Sequence, residues 1–356
     1  MQRDTLILTL ATLALAAAPL HADGPTWREQ SELTRDADGI AMVAVDDARG
    51  QVRLQPSSDG RIHIRALKVV RSRSLEDAKR IARETLVEVD QSEGRLVIRV
   101  RYPHLHVHLN LWENMSGELI PNDEVRLAIE LPPALAAEVN SASADVTSDG
   151  VGGNQRLRTA SGDVTVLGAA GPVAVSTASG DVSLQDLMAA RVVTASGDIE
   201  VDGARGALDL ESTSGDLTLR GVADSLRVRT VSGTVRVDAA PRGADINAMS
   251  GEVTLAAASG RVRARTVSGD LEVQLARALS NADLGTQSGT LTVTLDPALA
   301  CTLKANTGSG EIELEGTGQV TRHGHGSTSA SFRGGGTPVG LRTVSGDIRV
   351  VVGGGK

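Results

Sequence analysis

The sequence predicts an all-β chain: a parallel β-solenoid, β-helix or β-roll-like, of coils about eighteen residues long, with a β-rich N-terminal cap holding one helix. Three observations predict it. A Ser-Gly pair recurs at a nearly constant step, the residues around it alternate between apolar and polar, and large aromatic rings are almost missing.

The repeat carries most of the inference. Ser-Gly stands at 161, 179, 196, 214, 232, 250, 268, 288, 309 and 345, in steps of 18, 17, 18, 18, 18, 18, 20, 21 and 36. Ser143 leads in, with Ala144-Asp145 in place of Gly-Asp, and the out-of-phase Ser259-Gly260 reads as a turn. The step of 36 reads as a coil without its marker. Three and five places after each Ser the residue is apolar, from Val164 and Val166 to Ile348 and Val350, with a polar or charged residue between. Such alternation describes a strand with one buried face. Another apolar column lies four places before the Ser: Leu157, Val175, Val192, Leu210, Val228, Ile246, Ala264, Leu284, Ala305 and Leu341. Each repeat therefore holds two short strands joined at a Ser-Gly corner, where Gly supplies the backbone angles a tight corner needs.

The column five before the Ser reads Arg156, Ala174, Arg191, Asp209, Arg227, Asp245, Arg263, Asp283 and Lys304, alternating in sign from Arg191 onward. Parallel in-register coils bring such neighbours about 4.8 Å apart. Each exposed pair contributes only about 0.2–1 kcal/mol, so the column mainly disfavours misregistered stacking. Eleven or twelve coils would form a rod of roughly 50–60 Å.

A narrow coil interior accepts small and branched aliphatics, which accounts for the scarcity of rings. Only Trp27, Tyr102, Trp112 and Phe332 represent that class in 356 residues. The formal charge is −8, with 16 basic and 19 acidic residues in 24–140 and 19 basic and 23 acidic in 141–356. Neither part carries the basic surface of a nucleic-acid binder.

Residues 1–22 read as a secretory signal peptide: Arg3, an apolar run from Leu6 to Ala18, and Leu20-His21-Ala22 as the cleavage site. No later apolar stretch is long enough to span a membrane. Cys301 is the only cysteine, so no intrachain disulfide forms.

Residues 23–140 form the expected cap and 141–356 the repeats. The cap lacks the Ser-Gly box but alternates in Gln51-Val-Arg-Leu, Arg61-Ile-His-Ile-Arg and Arg95-Leu-Val-Ile-Arg-Val. A helix is predicted near 75–87, capped by Ser74 with Asp77 at capping-box spacing, its stripe being Leu75, Ala78, Ile81, Ala82 and Leu86. Leu131-Pro132-Pro133 breaks the chain before the coils.

This β-rich lead-in, the Leu-Pro-Pro break, the Ser-Gly-Asp coils and the closing Leu341-Arg-Thr-Val-Ser-Gly-Asp-Ile-Arg-Val resemble the bacterial "putative adhesin" domain family of unknown function. The resemblance covers most of the mature chain. It implies a β-solenoid in the cell envelope, and some members accompany envelope-stress systems.

Candidate chemistry is sparse. His104, His106 and His108 alternate on one strand, a spacing at which two can share zinc, but no further ligands are in view, and a solvent-facing strand is the simpler reading. His323 and His325 lie in a Gly-rich turn. The Asp column after Ser-Gly invites a calcium reading, yet calcium rolls need a Gly-Gly-x-Gly-x-Asp turn on both sides. Here Thr234, Glu252, Thr290 and Glu311 replace the Asp, and corner hydrogen bonding explains the column more simply. The threonines two before the Ser, from Thr159 to Thr343, share the parity of the core column and so point inward, which argues against ice binding. A polysaccharide-cleaving β-helix enzyme would need a local cluster of acids departing from the repeat. Acids here are spread along columns, and no catalytic, metal or cofactor residue is assigned.

The expected function is that of an exported, non-enzymatic, adhesin-like interaction protein of the periplasm or cell surface, with a protein or surface ligand. A periplasmic scaffold linked to envelope stress is the alternative. The final strand, Asp347-Ile348-Arg349-Val350-Val351-Val352, is expected to end the stack as an uncovered edge through which the chain binds a partner or self-associates.

Overall fold

A computed structural model describes residues 5–7, 25–103, 122–316, 319–322 and 326–353. Among these residues the chain is all-β, with 28 strands and one helix. It divides into two compact units, Met1–Gly180 and Asp181–Lys356.

The first unit comprises β1 (Thr5–Ile7), β2 (Thr26–Asp36), β3 (Met42–Pro56), β4 (Arg61–Arg71), α1 (Leu75–Glu84), β5 (Leu86–Ser92), β6 (Arg95–Arg101), β7 (Asn122–Leu131), β8 (Ala136–Asp149), β9 (Gln155–Thr159), β10 (Val164–Leu167) and β11 (Val173–Thr177). Parallel stacking already begins at β3. It lies in register with β8, pairing Val45↔Val139, Gly50↔Ala144 and Val52↔Val146. Next, β9 and β10 pair in parallel with β8, and β11 with β9. Arg49-Gly50-Gln51-Val52-Arg53-Leu54 is thus a degenerate corner box. Gly50 has φ +114°, and a Cβ there would lie 2.1 Å from the Val125 carbonyl oxygen.

On its other edge β3 splits. Its first half pairs with β6, which carries β5 antiparallel. Its second half pairs with β7, followed by β4 and β2 in antiparallel order. The helix packs Ala78, Ile81 and Ala82 against Val70 and Trp27, and the Lys79 ammonium stands 4.8 Å from the Trp27 ring centre. Ser74 caps it as expected, accepting the Asp77 N–H at 3.1 Å and donating to Asp77 Oδ2 at 2.8 Å. It stops earlier than the predicted residue 87: Thr85 still bonds the Ile81 carbonyl through its N–H and hydroxyl, but its own backbone is extended, with ψ 112°. Leu86, assigned to the helical stripe from the sequence, opens strand β5 instead, where Val87 and Val89 are buried.

The second unit runs β12 (Val182–Leu187), β13 (Ala190–Ser196), β14 (Ile199–Ala204), β15 (Leu208–Ser214), β16 (Leu217–Val222), β17 (Leu226–Thr230), β18 (Val235–Val237), β19 (Gly243–Ser250), β20 (Val253–Ser268), β21 (Leu271–Ser288) and β22 (Leu291–Leu295). It continues with β23 (Cys301–Ser309), β24 (Ile312–Glu315), β25 (Gln319–Arg322), β26 (Ser327–Phe332), β27 (Thr337–Ser345) and β28 (Ile348–Val352). Two parallel ladders alternate along the chain. One joins β12, β14, β16, β18 and the start of β20; the other joins β13, β15, β17, β19 and the end of β20.

The apolar columns three and five after the Ser and four before it are buried throughout, save Ile312 and Leu314 in β24. Two further inward columns close the interior. Leu187, Ala204, Val222, Ala240 and Ala258 lie eight places after a Ser, and Ala190, Leu208, Leu226, Ala244 and Val262 six before one. Of the described aromatic residues, Trp27 packs against α1, Tyr102 follows β6, and Phe332 is buried in β26 opposite Cys301.

The end of the chain departs from the expectation. β28 is not an open edge: it pairs with β22 on one side and β24 on the other. Likewise β27 lies between β21 and β23, with Ser345 opposite both Ser288 and Ser309. The step of 36 does not hide an unmarked coil. Its residues form β25 and β26, which pair antiparallel with each other and, through β26, with β23. The chain thus passes beyond the vacancy, turns back through this hairpin and fills the gap with its last strands. The terminal edge on that ladder is β24, four residues long and flanked by Glu311, Glu313 and Glu315. Short, charged edge strands resist edge-to-edge pairing. Edge-to-edge strand pairing of another chain along Ile348–Val352 is therefore excluded by the strand order.

Candidate functional site

In the Thr-x-Ser-Gly-Asp corners most polar residues serve the backbone, although the buried hydroxyls of Thr266 and Thr343 find no partner among the described residues. The Asp accepts a backbone N–H from the next strand of the stack: Asp216 N–H to Asp198 Oδ1 at 2.8 Å, Thr234 N–H to Asp216 Oδ1 at 2.8 Å, and Thr290 N–H to Asp270 Oδ1 at 2.8 Å. Glu311 N–H donates to Asp347 Oδ1 at 2.9 Å, which follows the spatial order of the strands and not their order in sequence. Corner serines donate to the preceding coil, as Ser232 Oγ does to the Thr213 carbonyl and Ser250 Oγ to the Val231 carbonyl. The inward threonines close the turn itself: Thr159 and Thr177 accept the N–H of Gly162 and Gly180, and Thr194 and Thr230 donate to the carbonyls of Ser196 and Ser232. Most residues read as possible calcium or ice ligands are thus occupied in holding corners.

Asp216→Ala removes the acceptor for the Thr234 N–H and should cost about 1–2 kcal/mol in urea unfolding. Chelator should leave the melting temperature of the unsubstituted protein unchanged. A chelator-dependent melt would restore the calcium reading.

The outward charges pair partly as the column predicts. Arg191 Nη1 meets Asp209 Oδ2 at 2.6 Å, and Arg263 Nε lies 3.8 Å from Asp283. The column three before the Ser competes: Arg265 reaches Asp283 diagonally at 2.6 Å, and Arg229 meets its register partner Glu211 within that column at 3.2 Å. The alternation stops at Asp283, whose neighbour in the stack is Gly340; Lys304 lies one strand further on.

Other polar groupings were not legible as motifs. On the first unit, the Thr34 hydroxyl and His63 Nδ1 lie 3.0 Å apart, and His63 Nε2 lies 2.9 Å from Asp59, whose carboxyl His63 holds below its usual pKa. The order of groups is that of a hydrolase triad, but Thr34 and His63 face each other across the β2–β4 ladder, and the relay ties the turn before β4 to β2. The spacing of Asp59 and His63 was its only sequence signal.

Near the end of β6, Tyr102 donates its hydroxyl to buried Asp47 at 2.8 Å, and Arg49 meets Asp123 at 3.3 Å. Burial, reinforced by the Asp47 charge, pushes the phenol pKa well up. Desolvation likewise raises the pKa of the buried Cys301 thiol, so it is a packing residue and a poor nucleophile.

Two shallow cavities stand out. One of about 250 Å³ has Leu67 and Ala128 in its lining together with Gln51, Arg53, Arg65 and Arg126. Arg65 is held by Glu130 and Arg126 by Glu124. The other, about 270 Å³, lies where Glu311, Glu313, Asp347 and Arg349 meet. Glu313 pairs with Arg349 at 2.9 Å, and Asp347 accepts the Glu311 N–H through one oxygen. No group of three or more metal-ligating side chains occurs among the described residues. His104, His106, His108, His323 and His325 lie outside them, as does most of the expected signal peptide. No helix among the described residues is long and apolar enough to cross a membrane.

Stacked parallel strands with corner side chains turned to their own backbone define a structural repeat protein. The Toastrack DUF4097 family matches at residues 40–243 and again at 223–351, and the chain belongs to that family. The resemblance drawn from the Ser-Gly-Asp coils is borne out. No curated protein matches the chain. Among solved structures, it is similar to a putative cell adhesion protein from Clostridium sporogenes, at 8% identity over 92% of this chain and 100% of that one, with a TM-score of 0.21. A putative adhesin from Bacteroides fragilis matches at 9% identity, over 91% and 97% of the two chains, with a TM-score of 0.25. A putative lipid binding protein from Parabacteroides distasonis matches at 13% identity, over 91% and 96%, with a TM-score of 0.32.

Proposed function

We propose that the chain is an exported, non-enzymatic β-solenoid that acts by presenting surface to a protein or cell-surface ligand in the cell envelope. In this reading residues 1–22 are removed at export, 23–140 cap the stack with β3 supplying its first strand, and 141–356 form the repeats. The observation that carries it is the commitment of the corner groups. Hydroxyls and carboxylates that could do chemistry instead hydrogen-bond the backbone, as Asp216 does with the Thr234 N–H at 2.8 Å. An interaction function needs only ordered surface, and the solvent-facing charge rows supply it. A periplasmic scaffold uses the same surface with an internal partner.

Labelling with an antibody that cannot pass an outer membrane separates the two. Labelling of intact cells is expected for adhesion. Labelling only after permeabilisation would contradict an adhesin and leave the periplasmic scaffold. A cytoplasmic signal in both states would contradict export altogether.

A further inference from the structure

Of the seven exposed large hydrophobic residues described in the second unit, four follow the repeat, while Met188, Val193 and Val320 lie elsewhere. Val231, Met249, Val267 and Val344 are 43–60% exposed, and each stands one place before a corner Ser. The pairs Thr230↔Ala248, Ser250↔Ser268, Ser268↔Ser288 and Ser288↔Ser345 set these positions on neighbouring strands. With Gln287 in fourth place, they form a ridge five strands long, about 19 Å at the usual strand spacing. The corner does not require them: the same place holds Ala195 and Thr213 in earlier coils of this unit. Single exposed aliphatics are ordinary, but a row of them along one edge, here interrupted at Gln287, marks a contact surface.

The rows beside the ridge indicate the partner. Two places before it, the outward residues are Arg229, Asn247, Arg265, Gly285 and Arg342, basic or neutral throughout. Three places after it stand Thr234, Glu252, Asp270, Thr290 and Asp347, acidic or neutral throughout. Asp270 and Asp347 each spend one oxygen on the corner ladder. Although Arg229 and Arg265 are ion-paired within the chain with Glu211 and Asp283, the rows next to the ridge read basic on one side and acidic on the other. An anionic membrane would be repelled along one flank. A second copy fits when related by a two-fold axis parallel to the stack, because each basic row then faces the other copy's acidic row and the ridges meet like to like. A two-fold across the stack would set arginine against arginine.

We propose that this corner is a homotypic interface between two copies of the chain, packed in parallel through Val231, Met249, Val267 and Val344. A strip one side chain wide covers far less than the ~800 Å² per partner of a stable interface, so the dimer is weak and concentration-dependent.

The full mature chain serves for the test. Sedimentation velocity from 10 to 500 µM should show a rising dimer fraction, and Met249→Glu, at an exposed site, should weaken association at least tenfold. Met249→Cys should form a disulfide-linked dimer faster than the control Arg236→Cys, because the parallel two-fold sets residue 249 against itself. A monomer across that range, or equal crosslinking by the two cysteine variants, would overturn the proposal. So would a dimer that Met249→Glu leaves intact. Loss of binding to anionic lipid vesicles in Met249→Glu, with sedimentation unchanged, would reassign the ridge to a membrane. Localisation plays no part in these readouts, so their failure is distinct from failure of the envelope reading.

Discussion

Truncation after Gly336 is expected to unfold the end of the second unit, and not merely shorten it. The removed residues include β27 and β28, each hydrogen-bonded on both sides. Val339, Leu341, Ile348 and Val350 are at most 1% exposed. Burying four such side chains contributes about 6–12 kcal/mol at ~1.5–3 kcal/mol each, on the order of the 5–15 kcal/mol that separates a whole domain from its unfolded state. The loss also strands β23 and β24, which have no other parallel neighbours. Circular dichroism should show a broad, early melt, and protease should cut within 296–336. If the last strands were an outer coil, truncation would instead leave a sharp melt a few degrees lower.

Gly251→Val should be the most damaging single substitution at a corner. Gly251 has φ +116°, and a Cβ there would lie 2.1 Å from the Gly233 carbonyl oxygen, a backbone atom that cannot swing aside. The conformational part alone costs about 1–3 kcal/mol, and opening the parallel ladder should bring the loss above ~4 kcal/mol. Gly334→Ala separates the two contributions. Gly334 has φ +83° with nothing within 4 Å of the place a Cβ would take, so it should lose only about 1–2 kcal/mol. Equal losses in urea unfolding would mean that close stacking at the corner is not what fixes glycine there.

These two sites mark how far the sequence could be read. The Ser-Gly step and the apolar columns beside it predicted parallel strands, because side-chain alternation and tight corners leave periodic traces. Gly50 escaped notice since Arg49 and Gln51 replace Ser and Asp around it, leaving only the apolar residues Val45, Val52 and Leu54 in phase. The inward column from Leu187 to Ala258 mixes Leu, Val and Ala, and the second corner before it carries Gly203 and Gly221 but also Asp186 and Ala257 at positive φ. Insertion of β27 and β28 left no local trace. A strand that pairs with Ser288 needs the same alternation as one that pairs with Ser309, so only long-range pairing decides the order. The ridge was visible as Val, Met, Val and Val before four serines, but nothing in the sequence distinguished exposed aliphatics at a corner from buried ones.

Locking the final strands within the stack removes the terminal edge as a docking site and leaves the corner. Engineered cysteines test this directly. Ser345 lies opposite Ser288, one strand spacing of about 4.8 Å away and within the Cα range of a disulfide. Ser309 lies two spacings from Ser288, about 9.6 Å, beyond that range. In oxidised protein, Ser288→Cys with Ser345→Cys should close a disulfide that peptide mapping detects, while Ser288→Cys with Ser309→Cys stays reduced. Closure of the 288–309 pair in place of 288–345 would put the strands back in sequence order and contradict the inserted arrangement.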